Sequence, residues 1–323
     1  MSTPPNEINK AMIYFHYIPM GVLPEVAIAV FSVIAIAFAY RIYRNKDGKW
    51  LHILTFTAIA EVIGYVFRLL CRTDTTLMKY VIMNLFLLLS PNALALVNYK
   101  TLAKIVQEKS QPSSSSTSNS IENETYQSPT TSHQKIINET TRSSFKKDPF
   151  WLRPKFLSWF FFASDIFSFF LQGAGGGLQA SGNNTTGQAI TLFGLAIQLI
   201  FLACFTVIAI IVYRRSDFDF QVIDIRSKVV IAEPKKKLLT CLFITTFLLY
   251  VRSIYRFAEY ATGYDGPIAR REWAFLVFDY EMIAACFIVY YFIYIGNYLP
   301  NNEYILRSYE KDGSAVSLSE IYM

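Results

Sequence analysis

Seven predominantly apolar stretches of similar length, at about 20–41, 51–70, 77–100, 155–178, 188–213, 238–261 and 273–297, punctuate this 323-residue sequence. Few folds accept such a pattern. About 20 helical residues match the roughly 30 Å hydrocarbon layer of a bilayer. That layer holds no water, so backbone groups must bond within a helix or between the strands of a closed barrel. Barrel strands alternate apolar and polar residues, and these stretches do not. The expected fold is all-α: a polytopic bundle of seven transmembrane helices over residues 1–300, with a loop at 107–150 inserted in it and a tail at 301–323.

Charge sets the expected orientation. The segments 41–50, 100–155, 214–237 and 299–323 together hold 22 Lys and Arg, whereas the alternate segments 1–19, 71–80, 179–187 and 262–272 hold 5. Basic loops stay in the cytoplasm, which puts the N-terminus outside and the C-terminus in the cytoplasm. The net charge of +6 is spread over membrane-flanking loops, which points to membrane lipids and away from nucleic acid. The first stretch is followed, not preceded, by Arg41, Arg44, Lys46 and Lys49. It is therefore expected to remain as the first span and not to be cleaved as a leader.

Asn183 and Asn184 begin sequons in an expected outside loop and are candidate glycosylation sites, while Asn123 and Asn138 fall inside and are expected to stay bare. The 107–150 loop is rich in Ser, Thr, Asn and Gln and too poor in apolar residues to fold alone. It reads as a flexible connector or as a phosphorylated regulatory segment.

Ionised groups are costly at a helix centre, about 2.5–3.5 kcal/mol each on the insertion scale, yet several stand inside the spans. Glu61 and Arg68 in the second, and Asp165 and Gln172 in the fourth, are each seven residues apart and share a helix face. The sixth carries Arg252, Arg256 and Glu259, and the seventh Asp279 and Glu281. Given the orientation, most of these fall in the outer half. Two readings stand: buried pairs that fix helix packing, such as Arg68 with Asp279 or Arg256 with Glu61, and a polar substrate pocket. Asp165 has no basic residue one or two turns away on its own helix, so it is the first candidate to pair with a cationic amphiphile. Gly173 and Gly177 form a GxxxG pattern that favours close helix approach, and Pro91 is expected to kink the third span.

Enzyme readings find little support. His16, His52 and His133 are too dispersed to share a metal. The four cysteines show no ligand spacing, and 273–297 holds no lysine for a retinal Schiff base. A phosphate-binding Gly-x-x-x-x-Gly-Lys-Ser/Thr loop is absent. No catalytic residue, metal or cofactor is expected.

The polar residues sit in motifs: Glu61-x-x-Gly64-Tyr65-x-x-Arg68; Asp165 through Gln172-Gly173 to Gly175-Gly176-Gly177; Gly187, Gly194 and Gln198; Arg252-Ser253-x-Tyr255-Arg256-x-x-Glu259 with Gly263; and Glu272 before Phe278-Asp279. Their joint order resembles the fungal lipid-translocating exporter family over about 12–300, apart from the 107–150 loop. The resemblance implies a seven-span protein of the plasma membrane that exports amphiphilic lipids or sterol-like toxic compounds, such as sphingoid bases, and gives resistance to them. The candidate substrate-binding residues are Glu61, Arg68, Asp165, Gln172, Gln198, Arg252, Arg256, Glu259 and Asp279, and Gly64, Gly173, Gly177 and Gly194 are candidates for helix packing. A seven-helix receptor or sensor of amphiphile stress fits the same span count. It lacks an acidic-Arg-Tyr triplet after the third span, where Asn98-Tyr99-Lys100 stands, and an Asn-Pro-x-x-Tyr motif in the seventh.

Overall fold

A computed structural model describes residues 22–45, 48–73, 76–109, 154–215, 222–224, 229–231, 233–263 and 272–299. Seven helical segments are long and apolar enough to cross a membrane: Val22–Asn45, Lys49–Arg72, Leu77–Gln107, Phe156–Gln179, Asn184–Arg214, Pro234–Ala261 and Trp273–Asn297. They are called spans 1 to 7, and the chain is a multi-pass membrane protein. Most helices run past the apolar stretches. The third continues to Lys109 and the sixth begins at Pro234, because a helix keeps its own backbone bonded after its side chains turn polar. Positions 110–153 and 300–323 lie outside the described residues, and with them the sequons at Asn123 and Asn138 and nearly all of the expected loop.

Two features depart from an uninterrupted set of α-helices. Between spans 5 and 6, Val222–Asp224 (β1) and Val229–Ile231 (β2) pair antiparallel, Ile223 opposite Val230. Span 7 contains a π-helical turn, Leu276–Tyr280, between the α-helical segments Glu272–Phe275 and Glu281–Phe292.

The bundle is inside-out relative to a water-soluble domain. Large apolar side chains such as Val33, Phe170, Ile200 and Phe292 face outward, at 66%, 66%, 61% and 78% exposure. Glu61, Arg68, Asp165, Arg252 and Asp279 are all at 3% or less. That is the arrangement a lipid solvent dictates, because a charge on the outer surface would face hydrocarbon. Consecutive spans pack side by side, span 3 also touches span 6, and span 7 packs on span 6 and meets span 1. Phe31 of span 1 holds three of them together, its ring 5.9 Å from Tyr65, 5.5 Å from Tyr280 and 6.0 Å from Phe287.

Spans 4 and 5 make the tightest approach. A Cβ on Gly175 would lie 2.6 Å from the carbonyl oxygen of Gly187, and one on Gly187 would lie 2.5 Å from that of Gly175. Only hydrogen at both positions allows it. Gly64, Gly173 and Gly194 also face side chains within 2.8–3.0 Å of a built Cβ, as close packing requires. Gly177 corrects the sequence expectation: a Cβ there meets nothing within 4 Å, and neither does one on Gly176. Of the GxxxG pair only Gly173 is closely packed, against Leu85, and the contact with span 5 runs through Gly175.

Candidate functional site

Six of the sequence-selected residues gather where spans 2, 6 and 7 meet. Arg252 and Arg256 are one turn apart on span 6 and reach the same carboxylate. Arg252 Nη2 lies 2.8 Å from Asp279 Oδ1. Arg256 grips Asp279 in a fork, Nε to Oδ1 at 3.1 Å and Nη2 to Oδ2 at 3.0 Å. The remaining Arg256 nitrogen, Nη1, donates to Glu259 Oε2 at 3.0 Å. Such bidentate pairing suits a planar guanidinium and is unavailable to lysine. The π turn of span 7 presents Asp279 to both arginines. Glu281 follows that turn and is exposed, outside the cluster.

Glu61 comes from span 2. It lies within electrostatic reach of Arg252, Arg256 and Asp279, while the nearby Ser90 hydroxyl turns to the backbone carbonyls of Thr57 and Phe86 at 3.5 and 3.4 Å. Arg68, two turns along the same face, places its guanidinium 4.1 Å from the centre of the Phe275 ring, which Arg256 also approaches at 5.2 Å. Of the pairs expected from sequence, Arg256 takes Asp279 and Glu259 in place of Glu61, and Asp279 is bridged by Arg252 and Arg256 with Arg68 also acting on it electrostatically. Helix spacing identified the charged faces but not which partner each would find. Beside the cluster two buried donors, the Tyr65 hydroxyl and Arg252 Nε, have no hydrogen-bond partner.

The other selected residues form separate groups. Gln172 donates to Gln198 at 2.9 Å, and Gln198 donates to Asn92 at 2.8 Å, a relay of amides across spans 4, 5 and 3. Asp165 stands apart from the arginines, and the Tyr99 hydroxyl donates to its Oδ2 at 2.8 Å. The single chamber expected around Asp165 and Arg252 is therefore resolved into distinct polar layers.

Sequence reasoning missed Asn92, Tyr99 and Asn98. Asn98 accepts from Tyr290 at 2.8 Å and Thr245 at 3.1 Å and donates to Thr246 at 3.1 Å, joining spans 3, 6 and 7. A signal was available. Asn92 and Tyr99 are seven residues apart on span 3, the same spacing that selects Asp165 and Gln172 on span 4, but neither carries a charge.

A shallow cleft, open to the outside, lies between spans 3, 4 and 6. Gly173, Gly176 and Gly177 form one wall, with Gln172 and Gln179 at its polar edge and Tyr80, Asn84 and Tyr260 across from it. Tyr260 is adjacent in sequence to Glu259, so the cleft borders the charged cluster. Because no neighbour restricts side-chain size at Gly176 or Gly177, helix packing does not account for glycine there.

The model of the family described as "RTA1 like protein" matches residues 54–119 and 136–302, most of the chain. The chain belongs to the RTA1-like family. This is the exporter family that the motifs resemble. Protein RTM1 of Saccharomyces cerevisiae is 28% identical over 253 residues, covering 77% of this chain and 67% of RTM1. Protein RTA1 of the same species is 26% identical over 238 residues, covering 73% of this chain and 62% of RTA1. Protoporphyrin uptake protein 1, also from that yeast, is 35% identical over 130 residues, 39% of this chain and 40% of the relative. The chain thus spans about two thirds or less of these relatives. No solved structure matches. The residues matched to the RTA1-like model include the ion cluster, the amide relay and the glycine wall of the cleft.

Proposed function

We propose that this RTA1-like protein is a transporter or translocase that moves amphiphilic lipids or sterol-like compounds across the plasma membrane, out of the cell, and so confers resistance to them. Its N-terminus is outside and its C-terminus cytoplasmic, as the loop charges indicate. The observation that carries this reading is the cleft. It has a glycine wall that packing does not require, polar groups along one edge, and a fixed set of charges beside it. A polar headgroup would lodge against Gln172, Gln179 and Tyr260 while its tail lies in lipid. Arg252, Arg256, Asp279 and Glu259, already bonded to one another, would hold that wall rigid and polarise it, with Glu61 and Arg68 behind them. Gln198 would keep Gln172 oriented through the amide relay. Asp165, outside the cleft, is not needed to seat the headgroup.

The test is lipid movement in vesicles containing the purified protein and a fluorescent amphiphile, with Gly177→Leu as the comparison. The expected result is movement well above that in empty vesicles for the native protein, reduced to background by the leucine, with equal incorporation of both. Background movement by the native protein would remove the transport reading in favour of a sensor. Equal movement by both proteins would remove the cleft.

A further inference from the structure

The sites above leave Asp165 unexplained. It is 1% exposed, and one of its two oxygens, Oδ1, has no hydrogen-bond partner. Its position in span 4, ten residues into Phe156–Gln179, puts it about 14 Å from one end and about 21 Å from the other at 1.5 Å per residue. An ionised carboxylate at that depth needs a counter-charge. The arginines do not supply one: Arg252 and Arg256 are bound to Asp279 and Glu259, and the groups acting on Asp165 include no arginine.

A second observation points to the same spot. Ser168, three residues further on the same helix face, is 0% exposed and its hydroxyl is also unpartnered. Hydroxyls buried in membrane helices ordinarily bond back to the preceding turn. Thr57, Thr101, Thr206 and Ser253 all do so here, at 2.7–2.9 Å. Ser168 does not, and it does not bond to Asp165 either. Two buried oxygens, neighbours on one face and each without a partner, frame a place for a third species.

The surroundings define its chemistry. Tyr99 donates to the other Asp165 oxygen, and its ring is held edge-on against Phe205 at 4.6 Å and beside Phe161 at 5.5 Å. The carboxylate is therefore fixed with Oδ1 turned away from Tyr99. Span 4 packs on spans 3 and 5. From span 3 the titratable group facing Asp165 is Tyr99, and the buried face of span 5 at this level offers Gln198, Leu202 and Phe205, none of which titrates. One carboxylate and one hydroxyl, both hard oxygen donors, match a single positive charge. A divalent ion draws on more carboxylates than this.

We propose that Asp165 Oδ1 and Ser168 Oγ form an intramembrane site for an exchangeable monovalent cation, a proton or a sodium ion, at the junction of spans 3, 4 and 5. The site lies outside the cleft, and cation binding does not depend on the transport reading.

The experiment uses the full-length protein in nanodiscs of zwitterionic lipid. Thermal unfolding is followed in alkaline buffer as sodium chloride replaces choline chloride at constant ionic strength. Infrared difference spectra between mildly acidic and alkaline buffer report the C=O stretch of a protonated carboxyl. A sodium site raises Tm with the logarithm of sodium concentration, and a proton site gives a carboxyl band that disappears at alkaline pH. Either signal supports the proposal if Asp165→Asn abolishes it. Ser168→Ala, a change small enough to fold, is expected to weaken sodium binding about tenfold or to shift the carboxyl band, as the loss of one polar contact would. A native protein whose Tm ignores sodium and whose carboxyl bands equal those of Asp165→Asn would overturn it. Should Asp165→Asn fail to fold, a response left unchanged by Ser168→Ala would do the same.

Discussion

Arg252 donates to the carbonyl oxygen of Leu87 at 3.0 Å, and Leu87 is the residue four before Pro91 in span 3. Proline has no N–H, so that carbonyl loses its helical donor. In lipid such a loss has to be made good by a neighbour. One guanidinium here bonds the carbonyl freed by Pro91 and the carboxylate of Asp279. The sequence expectation treated Pro91 as a kink and Arg252 as a pocket residue, whereas the two are partners.

Arg252→Gln is expected to destabilise the protein by about 3 kcal/mol or more, the range for removing one partner of a buried ion pair. Pro91→Ala restores an N–H to the Leu87 carbonyl. In the double variant it should recover about 1 kcal/mol, the usual net worth of one hydrogen bond. A double-mutant cycle of unfolding in nanodiscs measures this coupling, and strictly additive effects would rule it out.

The glycines of span 4 are expected to divide sharply. Gly175→Ala forces a methyl into the Gly187 backbone and should cost about 1–3 kcal/mol, as overpacking does. Gly177→Ala meets open space and should be neutral or stabilise by up to about 1 kcal/mol, because glycine is a poor helix former. Tm values for the two variants separate these outcomes.

Breaking the amide relay should be felt at both ends. Gln198→Leu leaves the Gln172 donor and the Asn92 acceptor without their partner, with an expected loss of about 1–3 kcal/mol. If the relay also orients Gln172 at the cleft edge, lipid movement in vesicles should fall in the same variant when measured well below its Tm.

Orientation is tested by glycan mapping. Asn183 and Asn184 are exposed between spans 4 and 5, on the side assigned to the exterior by loop charge. Cysteines introduced at Ser181 and at Lys49 should be labelled by an impermeant reagent from outside and from inside, respectively. A glycan on Asn138, or the reverse labelling, would invert the topology.

The helical architecture was legible because lipid imposes one rule on every span, and apolar length reports it. The residues of the ion cluster were legible for the same reason: a charge within an apolar stretch is conspicuous. Their partners were not, because which guanidinium meets Asp279 depends on the π turn and on the crossing of spans 6 and 7, and neither leaves a local mark. Asn92, Asn98 and Tyr99 were overlooked because neutral polar residues raise the cost of insertion little, so they barely disturb an apolar stretch. Gly177 was misread because spacing gives the face of a helix but not what stands opposite it.

The π turn at Leu276–Tyr280 inserts a residue into the register of span 7. Phe275 under the arginines and Tyr290 against Asn98 are consequently phased by two helical segments, not by one continuous spiral. Straightening that turn into ordinary helix with every residue kept would rotate one half against the other by about 100°, at 3.6 residues per turn. Both contacts could then no longer form together, although no contacting side chain had been altered.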